Sequence, residues 1–212
     1  MTLRPLPRLS LPSVEVLLRP RGQMVHEMME AHVAQAEPLV PQRPSGASPG
    51  ESADDHVVIA RKRATGIPDS ARAALALNTL TEEGLPHFHR LLAVHLGEDS
   101  HWRRWNNMWT AEEDRHGAVL HDYLRDTRLL HQRRLEEMQY SYLESGFHPD
   151  WDTDPYRVFV HTTLQERATQ VSHSGTGRAV ADYEPLLNEV LPTSRSTKPG
   201  TSPSTGRFSR KF

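Results

Sequence analysis

The chain has no cysteine. That excludes disulfides, iron–sulfur clusters, thiol catalysis and thiolate zinc sites, and it fits a reducing compartment, with the cytoplasm as the expected location. Large net charge is absent too: the formal value is −2, so no general nucleic-acid surface is implied and nucleic acid is not an expected partner. Every apolar run is far too short to cross a bilayer, so no transmembrane segment is expected. Residues 1–14 contain no acid but also no continuous apolar core. They make a poor secretory signal and a weak transit peptide. No internal repeat is evident, and 212 residues suffice for one domain with a tail.

What is present centres on Trp109-Thr110-Ala111-Glu112-Glu113-Asp114-Arg115-His116-Gly117. Glu113 and His116 are three residues apart, nearly one helical turn, so both side chains leave the same face. Trp105, Trp109, Glu113, His116, Leu120 and Leu124 recur in steps of four or three and define that face. The apolar residues above and below point the pair into a core. A buried glutamate is costly unless it is paired or bound to a metal. Glu-x-x-His facing inward is the ligand device of four-helix di-iron proteins. A salt-bridged glutamate with a hydrogen-bonded histidine on a half-exposed helix gives the same spacing.

The rest of the chain reads as helices and breaks. Gly22 to Glu37 forms a helix, and Pro38 to Pro49 a Pro/Gly/Ser linker. A long helix starts after Pro68-Asp69-Ser70 and ends at Gly97, with Leu75, Asn78, Glu82, Leu85, His89 and Leu92 inward and Pro86 expected to kink it. The next spans Ser100 to Arg128. A third, His131 to Glu144, carries Leu135, Met138 and Tyr142 on one face. After Asp154-Pro155 another runs to His173, with Val158, Thr162, Glu166, Thr169 and His173 on its seam. Ser174-Gly175-Thr176-Gly177 should break it before Arg178 to Leu191 turns helical again. From Pro192 to Phe212 the composition becomes Ser, Thr, Pro, Gly and basic, without acid, and disorder is expected.

Three helices thus offer inward acids, and their phrases resemble the soluble acyl-acyl-carrier-protein desaturases, ferritin-like di-iron enzymes. The matching phrases are Leu80-Thr81-Glu82-Glu83-Gly84-Leu85-Pro86, the Trp109 to Gly117 stretch, and Gln165-Glu166-Arg167-Ala168-Thr169 followed by Ser172-His173. The resemblance covers 68–191 and implies an all-α, ferritin-like helical bundle, incomplete at its C-terminal side. Residues 1–67 would be an extension with one helix and a linker, and 192–212 a basic tail. By resemblance Glu82 is a terminal carboxylate on one iron, Glu113 bridges two irons, His116 binds the first and Glu166 is terminal on the second. Thr169 matches a threonine near the oxygen-binding side. Glu83, Glu112 and Arg115 would be neighbours of the ligands, whereas His87, His89, His101 and His121 match no ligand. The implied activity places a cis double bond in a saturated acyl chain, using dioxygen and ferredoxin electrons. The implied partners are an acyl carrier protein, a ferredoxin-type donor and a second copy of the chain in a homodimer. The plastid stroma becomes an alternative location.

One family element is missing. No second Glu-x-x-His follows Glu166; Glu184 and Glu189 have no histidine three residues on. Reading Pro192 to Ser202 in a shifted frame permits Asp-Glu-Ala-Arg-His, so a frameshift near codon 191 is the expectation, with a natural truncation as its rival. Resequencing the gene from codon 185 past its stop decides between them: an unchanged frame sinks the frameshift. The rival functions are an inactive relic that keeps acyl or carrier-protein binding, and another di-iron carboxylate protein such as an oxidase or iron store.

Overall fold

The structure is a computed structural model that describes residues 21–35, 53–96, 100–146 and 154–193. Among them lie α1 (Gly22–Gln35), α2 (Ala53–Ala64), α3 (Asp69–Leu96), α4 (Ser100–Thr127), α5 (Gln132–Ser145), α6 (Pro155–Val180) and α7 (Pro185–Thr193). No strand occurs among the described residues, and the expected all-α helical bundle is what forms. The expected linker at 38–49 falls outside the described residues, and so does the expected tail at 192–212 from 194 on, its first two residues, Pro192 and Thr193, ending α7.

The pair α3 and α4 is the spine. Alanine and leucine dominate the first turns of α3, which favours helix, and Pro68 stands just before it. Pro86 lies inside α3, yet the helix continues through it to Leu96. Proline has no N–H to give to the carbonyl four residues back, here that of Glu82. On α3 pack α6 along one flank and α5 along another; α1 and α2 both lie on α4, and α7 folds back onto α6. Asp154 caps α6 by accepting from the Tyr156 N–H at 2.9 Å, with Pro155 in the first turn. Gly146 closes α5 at φ 66°, a left-handed conformation that suits glycine.

Three sequence readings change. A helix unmarked in the sequence, α2, stands at Ala53–Ala64; its Val58 and Ile59 are exposed, so its apolar period is weak. The expected break at Ser174 to Gly177 does not occur, and α6 runs on to Val180. One of its glycines serves packing: a Cβ on Gly177 would sit 3.4 Å from Asn188 Cα, so the missing side chain lets α7 close onto α6. Of the three residues assigned to one face of α5, Leu135 is buried while Met138 and Tyr142 are exposed.

The core has two parts. One is rich in rings: Phe88 and Leu92 of α3, Trp102, Trp105 and Trp109 of α4, Val158 and Phe159 of α6, and Val25 and Met29 of α1. The other is aliphatic: Leu75 and Leu80 of α3, Leu120 and Leu124 of α4, with Ile67, Leu135, Val180, Leu187 and Leu191. Along α3 the boundary falls between Leu80 and Leu85, and along α4 between Trp109 and Leu120. Glu82, Glu113 and His116 lie in those two intervals.

Candidate metal centre

The helical spacing read from the sequence puts Glu113 and His116 on the face of α4 that meets α3, and Glu82 comes to them from α3. One donor atom from each of Glu82, Glu113 and His116 lies within 4.8 Å of the other two. Glu82 is 0% exposed, Glu113 3%. His116 Nδ1 is 2.9 Å from Glu113 Oε2 and 3.8 Å from Glu82 Oε2. Glu113 Oε1 accepts the indole N–H of Trp109 at 2.8 Å, so the ring-rich core orients this carboxylate as well as drying it. Two acids in a dry interval bring negative charge that calls for a cation. Carboxylate oxygens with an imidazole nitrogen are donors that suit iron, so the three residues fit the metal the resemblance implies.

The approach of the two helices is close at this level. A Cβ on Gly117 would sit 3.3 Å from Glu83 Cγ and 3.6 Å from Glu82 Cβ. Next to the trio, Glu83 is held by His121 Nδ1 at 2.7 Å and by the Gln139 amide at 2.7 Å. Glu82, Glu83, Pro86, Asp114, His121 and Gln139 line a cavity of about 380 Å³ beside the trio. Glu112, on the next face of α4, is 2.7 Å from His32 of α1. That contact raises the pKa of His32, with burial opposing it. Arg115 is exposed.

On α6 the expected residues fall differently. Glu166 is half-buried and does not join the converging trio. The Thr169 hydroxyl donates to the Gln165 carbonyl of its own helix at 3.0 Å. The α6 residue that reaches the trio is His173: its Nε2 is 3.1 Å from Glu82 Oε1, and both side chains are fully buried. Its place seven residues after Glu166, two turns on and so on one face, was the available signal. His89 is buried, with Nδ1 2.9 Å from Thr110 Oγ1 and its ring 4.0 Å from that of Trp109.

A model of the fatty acid desaturase family matches residues 13–194. Over 132 residues the chain is 37% identical to DesA1 of Mycobacterium tuberculosis, covering 59% of this chain and 38% of that protein. Over 143 residues it is 37% identical to the chloroplastic palmitoyl-[acyl-carrier-protein] 4-desaturase 3 of Ophrys sphegodes, covering 64% and 36%. Over 139 residues it is 36% identical to the chloroplastic stearoyl-[acyl-carrier-protein] 9-desaturase 2 of Oryza sativa subsp. japonica, covering 62% and 35%. The chain thus spans 35–38% of the length of these relatives. No helix among the described residues is long and apolar enough to cross a membrane. With the family match spanning most of its length and the acid–imidazole trio inside the matched segment, the chain belongs to the fatty acid desaturase family.

Proposed function

We propose that this chain carries one part of the di-iron site of an acyl-acyl-carrier-protein desaturase, an oxidoreductase of fatty acid biosynthesis, without the second Glu-x-x-His that would complete it. The observation that carries the reading is the convergence of Glu82, Glu113 and His116, buried between two cores, inside the segment matched by the family. Two of the relatives bear names that specify acyl-carrier-protein substrates, palmitoyl and stearoyl. In this reading Glu82, Glu113 and His116 hold iron, Glu166 serves a second iron, and Thr169 offers a hydroxyl on the oxygen side. When bound, the iron centre supplies the oxidising power that, with dioxygen, two electrons and two protons, turns two adjacent CH₂ groups into a cis CH=CH and yields two waters.

This chain's own groups supply placement. Trp109 fixes Glu113 through its indole N–H. The rings of Trp105, Trp109 and Phe88 keep water from one side of the acids, which strengthens every charge interaction there. The substrate arrives as a thioester on an acyl carrier protein, a ferredoxin-type protein supplies electrons, and two chains pair as a homodimer. The cytoplasm is the proposed compartment; the chloroplastic names of the plant relatives point to the plastid stroma as the alternative.

The test is to load the 212-residue chain with ferrous iron under argon and count iron per chain. Palmitoyl and stearoyl carrier-protein thioesters, reduced ferredoxin and oxygen then follow, with mass spectrometry of the fatty acid esters. Bound iron, a mono-unsaturated product, and loss of both in Glu113→Ala support the reading. Iron content unchanged in Glu113→Ala sinks the site. Iron bound without product, but with carrier-protein binding, turns the assignment to a non-catalytic relic.

A further inference from the structure

The two oxygens of Glu82 face different helices. Oε2 turns toward α4, 3.8 Å from His116 Nδ1, whereas Oε1 lies 3.1 Å from His173 Nε2 on α6. One turn away on α3, Asn78 makes a second polar cross-link to α6. Ser172 Oγ donates to Asn78 Oδ1 at 2.7 Å, and Asn78 Nδ2 donates to Thr176 Oγ1 at 3.1 Å. Asn78, Thr176, Glu82 and His173 are all buried. Glu82 and Asn78 are four apart on α3, and Ser172, His173 and Thr176 span about one turn of α6, so the contacts form one ladder. The ladder sets the register of α6 on α3, and register sets where the imidazole meets the carboxylate.

We propose that His173 is a positioning residue for Glu82: by holding Oε1 it presents Oε2 to a cation shared with Glu113 and His116. His173 stands outside the trio whose donor atoms converge, so it acts through Glu82 and is not a ligand itself. A carboxylate ligand held by an outer partner has one orientation in place of several, and loss of such partners weakens metal binding about 10- to 100-fold. The proposal rests on the reading of Glu82, Glu113 and His116 as metal ligands.

The test uses the full chain and cobalt(II) alone as probe, followed by visible absorption, with helix content of the metal-free protein measured in parallel. His173→Met fills the same space without a polar contact for Glu82 Oε1; His173→Gln fills it and keeps one. With helix content unchanged, His173→Met should bind cobalt about 10- to 100-fold more weakly, and His173→Gln should regain most of that loss. Native-like cobalt affinity in His173→Met, or a His173→Gln as weak as His173→Met, overturns the proposal while leaving the trio intact. If His173→Met does not fold, His173→Gln decides: native affinity and cobalt spectrum support the proposal, and weakened binding overturns it. A native chain that binds no cobalt, or binds it equally well after Glu113→Ala, overturns both the proposal and the reading beneath it.

Discussion

The ring-rich and aliphatic halves of the core share two helices but treat polar groups differently. In the ring-rich half the rings interlock: Trp102 meets Trp105 edge-on at 6.0 Å, and Trp105 tilts against Trp109 at 5.2 Å. That half spends one of its polar atoms on the trio, through Trp109 Nε1. Beside the aliphatic half a different buried acid is met by a single cation. Glu184, 1% exposed, is met by Arg63 of α2 at 3.1 Å, near the phenol of Tyr123. Aromatic side chains bring both area and a polar handle, so they can dry a site and orient it at once; aliphatic ones only fill. The trio sits where a dry wall and an oriented donor are both within reach.

The largest effect should come from breaking either half. Trp102→Ala is expected to cost about 3–5 kcal/mol and Leu75→Ala about 2–5 kcal/mol, read from urea unfolding. If the halves are independent, the double variant adds to within about 0.5 kcal/mol. A larger deviation would mean that the polar interval couples them, and the comparison would have to be redrawn as one core.

Removing charge from the interval sharpens the comparison further. Glu113→Gln keeps an oxygen for Trp109 but drops a buried negative charge. The metal-free protein should gain about 1 kcal/mol while losing its metal, since residues kept for a site are seldom those that suit stability. A lower melting temperature for metal-free Glu113→Gln would show the acid to be part of the packing.

The smallest effects are expected from pH, and the two halves reach them by opposite chemistry. His32, on α1 beside the ring-rich half, has its pKa raised by its bond to Glu112. Its stabilisation is full below the ordinary value of 6.5 and is lost as pH rises through the folded value. Glu184 is raised chiefly by burial, with Arg63 opposing. Its neutral form is favoured in the fold, so that contribution too is full below 4.5 and fades as pH rises. Stability should therefore fall with rising pH in two windows. His32→Gln should flatten the one that opens at 6.5 and Glu184→Gln the one that opens at 4.5. Urea midpoints that keep both slopes in both variants would count against these assignments.

Part of this was legible from spacing: the faces of α3 and α4 repeat every three or four residues, which turned Glu82, Glu113 and His116 inward. Joining them into one site took the resemblance to the desaturases. Other parts were not legible, for physical reasons. Helix α2 is tied down by polar contacts, Arg61 to the Asp126 carbonyl and Arg63 to Glu184, and no apolar stripe announces such bonds. The glycines of α6 look like a break, because a sequence does not tell a glycine that bends the chain from one that admits a neighbour. His173 lay on the right seam, yet nothing local marks which seam residue will meet Glu82 across the groove.

Gly117 carries a consequence for how α3 seats on α4. A Cβ there would press on Glu83 Cγ at 3.3 Å, while its 3.6 Å to Glu82 Cβ is ordinary contact. The group that must give is therefore the Glu83 side chain, and Gly117→Ala should disturb the hold of His121 and Gln139 on Glu83 before it reaches the trio.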